Sequence, residues 1–196
     1  MDYNQTMNNV KILIPKGYYK LTPEDGPVFF LAGPVRGGSD WQKKVTEELS
    51  AKLEKCVVAI PYYYNNDEDF PLFKSATPGA EDKFDRQLAW ERYYLEQAAK
   101  KGCIIFWLPE ENKLKPRPLG AGPYATDTRG EVARWSVEQK YNPTYNVVVG
   151  AEENFFSLSQ IERNWIADQG HDVKFARSIS ELVDMAVEKA ANLTQK

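Results

Sequence analysis

The feature that most constrains the fold is a series of short apolar segments, each bounded by glycine, proline or polar residues. Segments of this kind are typical of strands buried on both faces of a parallel sheet. The candidates are Val10–Ile14, Val28–Ala32, Cys56–Ile60, Gly102–Leu108, Tyr145–Val149 and Val173–Ala176. Helical patterns lie between most of them. This alternation predicts an α/β fold with a doubly wound, mostly parallel five-stranded sheet and helices on both faces.

Length and composition limit the number of domains and the kinds of partner. A chain of 196 residues fits one domain over 1–196, with residues 1–9 predicted to be disordered because they are polar. The net charge of -3 makes nucleic acid an improbable partner. No leader peptide or membrane-spanning run is visible, which predicts a cytoplasmic protein without a membrane partner.

The cysteines and the histidine are poor candidates for chemistry. Cys56 and Cys103 each begin an apolar segment and are expected to be buried in strands. His171, the only histidine, follows a glycine in a predicted surface turn. Metal ligands in proteins are mostly clustered cysteines, histidines and carboxylates, so the sequence predicts neither a metal site nor a cofactor.

A glycine-rich turn follows the strand Val28–Ala32. In doubly wound folds such a turn, at the carboxyl end of a strand, often holds a phosphate or sugar. Gly33, Pro34, Arg36 and Trp41 are therefore candidate substrate-binding residues. The spacing is not that of a dinucleotide motif, and Arg36 is equally consistent with meeting a phosphate or with solvation.

A long aromatic segment, Pro61–Glu81, precedes a predicted helix over 82–101. Its three consecutive tyrosines favour a wall or lid around a ligand, with Tyr62 as a candidate contact. In the helix, Asp85 and Gln87 fall in the first turns, near the presumed site, and Gln87 is a candidate substrate-binding residue. Glu91 falls on the apolar stripe. A carboxylate there either pairs with a cation such as Arg134 or looks into a cavity, because an unpaired buried charge is costly.

The segment Thr126–Trp135 opens a second predicted helix. Thr128 or Asp127 is expected to cap it, Gly130 allows a close approach to the backbone, and Glu131 falls in the first turn. The positive helix end is expected to keep Glu131 ionised near neutral pH. Such a carboxylate suits a nucleophile or an anchor for a sugar hydroxyl, although an acidic residue in a first turn often has no special role.

Five ordered segments together resemble the nucleoside 2-deoxyribosyltransferase-like family. They are Phe30–Pro34 with Ser39–Trp41, Phe84–Glu91, Ile105–Pro109, Asp127–Trp135 and Val147–Ala151. The resemblance implies a flavodoxin-like fold and a glutamate nucleophile at Glu131 that attacks C1′ of a (deoxy)ribosyl group. A second acid, Asp85 or Glu91, would protonate the departing base, as in retaining glycosidases.

The resemblance also implies roles for other residues. Asp127 and Thr128 would hold ribose or phosphate oxygens, and Phe30, Tyr62 and Trp90 would stack on the base. Arg129, which is unusual beside the nucleophile, suggests an anionic group on the substrate. Family members are homo-oligomers, and Trp165 and Phe155 are candidates for the subunit contact or for the core.

Several functions fit this pattern. The leading one is cleavage or transfer of the N-glycosidic bond of a (deoxy)nucleoside or nucleotide. Hydrolysis of a nucleoside monophosphate or of NAD uses the same chemistry. A nucleotide-binding module without turnover is the alternative outside enzymes, because the acidic sugar-binding residues of the better-known transferases are matched only by Asp127.

Overall fold

A computed structural model describes residues 9–15, 17–35, 37–61, 83–114, 117, 120 and 122–193, with the side chains of 83–86 outside that description. The strands are β1 (Val10–Leu13), β2 (Val28–Ala32), β3 (Cys56–Ala59), β4 (Gly102–Leu108) and β5 (Val147–Ala151). The helices are α1 (Trp41–Lys52), α2 (Lys83–Lys101), α3 (Thr126–Tyr141), α4 (Leu158–Gln169) and α5 (Ile179–Ala191), with a 3-10 turn at Pro23–Asp25.

The five strands form one parallel sheet in the order β1-β3-β2-β4-β5. The predicted doubly wound, flavodoxin-like α/β fold is thereby confirmed. The predicted strand Val173–Ala176 is wrong, since it is reduced to a single parallel bridge between Gly150 and Ala176. Lys174 in that segment turns outward to an ion pair of 2.7 Å with Glu181, so the segment does not lie along the sheet.

The sheet is buried on both faces because successive strand side chains point to opposite sides. Phe30 and Phe106 belong to the core under α2, α3 and α4. Phe29, Leu31 and Trp107 belong to the core under α1 and α5. All five residues of β2 are buried, which explains why the strand is apolar throughout rather than alternating.

The order of the strands places a crevice at the centre of the sheet. From β2, α1 leads to β3 on one side, and α2 then returns across the sheet to β4 on the other side of β2. Ligands of doubly wound folds bind where the strand order reverses, outside the carboxyl ends of the strands. That position lies after Ala32 and Leu108, at the Gly33–Gly38 turn and the loop from Pro109 to Ala125.

Local contacts fix the ends of several elements. Ser178 caps α5 by accepting a hydrogen bond of 3.2 Å from the main-chain N–H of Glu181. Helix α1 begins at Trp41 after Asp40. Asn9 is held by Ser50 through hydrogen bonds of 2.8 and 2.6 Å, so it is not disordered; residues 1–8 lie outside the description.

The residues expected to be inert have the predicted environments. Cys56 and Cys103 are buried free thiols in strands, and burial raises the pKa of Cys56 to about 12. His171 is exposed after the end of α4. Within the described part of the chain, no helix combines the length and the apolar character needed to cross a membrane.

Candidate active site

The Gly33–Gly38 turn is shaped by close packing at the carboxyl end of β2. A Cβ atom at Gly33 would lie 2.4 Å from the main-chain oxygen of Trp107 and 2.7 Å from the Trp41 ring. Such distances are far inside van der Waals contact, so the position requires glycine. Trp41 is fully buried, and its Nε1 donates a hydrogen bond of 3.3 Å to the main-chain oxygen of Pro34.

These contacts correct the expectation that Trp41 binds substrate directly, because its ring is enclosed by protein. Its observed role is to hold the turn from behind. The far end of the turn is tied to the loop after β4, where the main-chain N–H of Asn112 donates to the Gly37 oxygen over 2.7 Å. The two loops that flank the crevice are therefore linked. Arg36, the predicted phosphate contact, lies outside the described residues, as does Tyr62 of the aromatic segment.

Helix α3 starts earlier than its sequence pattern predicts. It begins at Thr126 after Ala125, which adopts the left-handed conformation with φ 58°. Asp127 and Thr128 therefore lie inside the first turn and cap nothing, and Glu131 lies in the second turn. The dipole effect decays within the first turn of a helix, so the expected stabilisation of the Glu131 anion is weak there.

Glu131 is half-buried, and two acidic residues act on it electrostatically. Burial raises the pKa of Glu131 to about 8, and repulsion by the carboxylates of Glu91 and Asp127 adds to that shift, while Arg134 opposes it. The expectation that Glu131 is ionised near neutral pH is therefore wrong for the free protein. The physical reason is that desolvation and two negative neighbours outweigh one cation.

Glu91 on α2 is also half-buried, and its charge acts on Glu131. Burial raises its pKa; the hydrogen bond of 2.8 Å from Gln87 Nε2 opposes the shift, and the charge of Asp127 adds to it. Among the described residues Glu91 has no ion pair, and Arg134 instead lies 3.8 Å from Glu138. Of the two interpretations of Glu91, the structure favours the one without a paired cation.

The carboxyl pair is the chemically distinctive feature of this site. Two half-buried carboxyl groups that repel each other cannot both ionise readily, so the pair keeps a proton to a higher pH than an isolated carboxyl group would. A pair in this state offers one anion and one acid at the same place. Among the described residues, no group of three or more His, Cys, Asp or Glu side chains is arranged to hold a metal ion.

The other residues predicted on α3 divide by exposure. Asp127 is exposed at the start of the helix and is free to meet a hydroxyl group, whereas Thr128 is buried. A Cβ atom at Gly130 would meet nothing within 4 Å, so this part of the helix is open as expected. Of the two residues expected to hold sugar or phosphate oxygens, only Asp127 is accessible.

Arg129 makes two contacts with the loop after β5. Its Nη2 donates a hydrogen bond of 2.7 Å to the main-chain oxygen of Phe156, and its guanidinium lies 4.7 Å from the centre of the Phe155 ring. These contacts tie α3 to that loop and give Arg129 a structural role. That Arg129 also meets an anionic group on the substrate stays a prediction.

Trp90 and Phe30, which were expected to stack on a base, are core residues. Both are essentially unexposed, and their rings lie 6.2 Å apart. Trp90 also packs against Tyr94 and donates its Nε1 hydrogen to the main-chain oxygen of Gly17 over 3.0 Å. Neither ring has a free face for a ligand. Asp85 lies on α2 one and a half turns before Glu91, and its side chain is outside the description.

The segment between β1 and β2 also supports α2, a role that the sequence pattern did not predict. Besides the Trp90 contact with Gly17, the Tyr19 main-chain N–H donates a hydrogen bond of 2.7 Å to the Tyr94 hydroxyl. This segment therefore fixes the half of α2 that carries Glu91. The available signal was the pair Tyr18–Tyr19 between turn residues, which is typical of an aromatic strap packed on a helix.

A second concave region lies away from the carboxyl pair. It has a volume of about 740 Å³ at the carboxyl end of β5, and it is lined by Phe155, Ser157, Glu162 and Arg177 among others. Arg177 and Glu162 form an ion pair there. None of the predicted site residues lines this cavity.

Comparison with protein-family models gives no match for this sequence, and no curated protein matches it. What bears on function is therefore the geometry of the carboxyl pair together with the resemblance of the motifs. The fold by itself defines a class of doubly wound α/β proteins, and that class hosts many unrelated activities.

Proposed function

We propose that the protein cleaves or transfers the N-glycosidic bond of a nucleoside or nucleotide, with Glu131 as the nucleophile and Glu91 as the acid. The observation that carries the proposal is the half-buried carboxyl pair contributed by α2 and α3 beside the central crevice. Two carboxyl groups that share a proton are what glycoside chemistry with an oxocarbenium-like transition state requires.

The first step transfers the sugar to the protein. A carboxylate oxygen of Glu131 bonds to C1′ as the bond from C1′ to the base nitrogen breaks. The bonding electrons leave with the base, which takes a proton from Glu91. The positive charge that develops at C1′ favours the anion at Glu131, and so draws the shared proton toward Glu91 in the complex.

The second step releases the sugar. Water, or a second base, attacks C1′ while Glu91 accepts its proton, and the ester bond to Glu131 breaks to regenerate the carboxylate. Water gives hydrolysis and a base gives transfer. Asp127 is exposed beside the pair and is the described residue best placed to accept a hydrogen bond from a sugar hydroxyl.

The test is chromatographic detection of free base from a panel of nucleosides, nucleoside monophosphates and NAD, each with and without a second base. We expect release from at least one compound, and we expect Glu131→Gln and Glu91→Gln each to reduce it at least about 100-fold. Glu96→Gln is the matched control, since Glu96 lies on α2 in a surface pair with Lys100. Full activity in Glu131→Gln would disprove the mechanism.

One observation favours the non-catalytic alternative, a nucleotide-binding module. In the free protein the raised pKa of Glu131 places the proton on the proposed nucleophile, where a neutral carboxyl is a poor attacking group. A binding module predicts that a nucleoside or nucleotide raises the melting temperature with no base released. Base release by the wild type, absent in Glu131→Gln, would exclude it.

We also propose, from the family resemblance, that the protein is a homo-oligomer. Trp165 and Phe155 are each 2% exposed and belong to the core, so they are not the contact residues. The support is an exposed apolar pair on the outer side of α3, Val137 and Tyr141, one turn apart. Light scattering on the purified protein is the measurement, and a monomer at all concentrations would contradict the proposal.

A further inference from the structure

Gln87 lies one helical turn before Glu91 on α2, and its Nε2 group donates a hydrogen bond of 2.8 Å to Glu91 Oε1. An N–H donor stabilises a carboxylate more than a neutral carboxyl, because the ionised oxygen is the stronger acceptor. Among the described residues, no hydrogen-bond donor reaches the carboxyl group of Glu131. The two members of the pair therefore differ in one specific contact.

We propose that Gln87 is a positioning residue whose side-chain N–H holds Glu91 as the anionic member of the carboxyl pair, which leaves the proton of the pair on Glu131. The proposal rests on the proposed function only in treating these two carboxyl groups as the reacting ones. Gln87 was a candidate substrate contact on sequence grounds, and its observed partner gives it this different role.

The other charged groups around the pair do not explain why Glu91 should ionise before Glu131. Asp127 on α3 repels a negative charge at Glu91 and at Glu131 alike. Arg134, also on α3, stabilises the anion of Glu131 and so acts in the opposite sense. Within the described residues, Gln87 is thus the polar contact that favours the anion on Glu91.

The Gln87 contact predicts how the protonation of the pair depends on pH. The singly protonated state of the free pair is bounded on the acid side by protonation of Glu91 and on the alkaline side by loss of the proton from Glu131. At the alkaline limit only Glu131 loses a proton, and Glu91 is an anion before and after that step. The hydrogen bond from Gln87 therefore stabilises both states equally and does not change the alkaline limit. Removing this hydrogen bond moves the acid limit alone.

The experiment is a carbon-13 NMR titration of the full-length free protein labelled at the glutamate carboxyl carbons. Glu91→Gln and Glu131→Gln assign the two resonances. In Gln87→Met we expect the midpoint of Glu91 to rise by about one pH unit. In Gln87→Lys, which supplies a cation instead, we expect it to fall. Gln97→Met, a control on the same helix away from the pair, is expected to move neither resonance.

Unchanged Glu91 titration in both Gln87 variants would overturn the proposal, as would a wild-type Glu91 that titrates above Glu131. The titration uses no substrate, so the absence of base release would refute the proposed function and leave this result to decide on Gln87. Where base release is found, the acid limb of its pH profile is expected to move with the NMR midpoint. A purely structural role would lower kcat at every pH without moving that limb.

Discussion

The Arg129 guanidinium donates a hydrogen bond of 2.7 Å to the main-chain oxygen of Phe156 and lies 4.7 Å from the centre of the neighbouring Phe155 ring. The contact joins α3, which carries Glu131, to the loop that precedes α4. It also explains why a cation two residues before Glu131 need not bind substrate.

Arg129→Met is therefore expected to destabilise the protein by about 1–3 kcal/mol, from the loss of one charged hydrogen bond and one cation–π contact. Urea unfolding measures the change. Arg163→Met is the control, because Arg163 is exposed on α4 and its hydrogen bonds to other described residues stay within that helix. If Arg129→Met left stability intact but abolished a preference for phosphorylated substrates, the structural interpretation of Arg129 would be wrong.

Two glycines offer a matched pair of substitutions. Gly33→Ala is expected to destabilise the protein by about 1–3 kcal/mol or more, because the added Cβ would collide with the Trp107 main chain. Gly130→Ala is expected to stabilise it by about 0.5–1 kcal/mol, because Gly130 lies within α3 with open space around it. Thermal unfolding of both variants is the check, and changes of the same sign would contradict the model of the turn.

The raised pKa of Glu131 predicts a pH dependence of stability. Its folded value of about 8 exceeds its ordinary value, so the native state binds more protons than the unfolded state between about pH 4.5 and 8. This group therefore makes stability fall as pH rises through that window. Glu131→Gln removes this ionisation. The free energy of unfolding of the variant minus that of the wild type is therefore expected to be about 2 kcal/mol larger at pH 8 than at pH 5.

Urea unfolding at the two pH values measures this difference. Glu138→Gln serves as the control, because Glu138 lies on the same helix and its side chain makes, among the described residues, only a long contact with Arg134. A stability difference between Glu131→Gln and wild type that is the same at pH 5 and pH 8 would show that Glu131 has an ordinary pKa.

The pKa of Asp25 is shifted in the opposite direction, which predicts the opposite pH dependence of stability. Burial alone would raise the pKa of this carboxyl, but hydrogen bonds from Lys11, Thr22 and Tyr19 outweigh it and hold the pKa well below its usual range. Its contribution to stability is therefore present above about pH 4 and is lost as pH falls through the depressed value. Lys11 and Asp25 lie 2.5 Å apart and connect β1 to the turn before β2.

Asp25→Asn is expected to cost about 1–2 kcal/mol at pH 7, a value reduced because Lys11 is partly exposed, and to cost much less near pH 2. Chemical unfolding at both pH values is the measurement. The adjacent Glu24→Gln controls for the loss of one negative charge, since Glu24 is exposed. An equal cost for the two variants at pH 7 would refute a specific role for Asp25.

How far the sequence predicts the site is seen on α2 and α3. Glu91 was identified because a carboxylate on an apolar stripe is energetically unusual, and Glu131 because it follows a turn-rich loop before a helical pattern. Their local chemistry was not predictable in the same way. Helix α3 begins at Thr126 because Ala125 adopts a left-handed conformation. An alanine in the sequence does not predict that conformation.

The roles of the aromatic residues were likewise not predictable from the sequence. Trp41 and Trp90 are placed near the crevice by the order of the elements, but whether such a ring meets a ligand or the core depends on what packs on its other side. The Trp41 ring is buried and donates a hydrogen bond to the main-chain oxygen of Pro34, and the Trp90 ring is buried and donates to that of Gly17, which is distant in the chain. Contacts of this range are absent from a local pattern.

The sequence by itself determined the α/β class, the strands β2 to β5 and the two helices that carry the acidic residues, because apolar runs and helical stripes are local consequences of burial. Only the tertiary structure decided that the charge of Glu91 acts on Glu131 and that Arg129 is bonded to the loop before α4. Those facts depend on how α2 and α3 pack on the sheet. The protonation of the pair follows from that packing, because desolvation and repulsion act through space rather than along the chain.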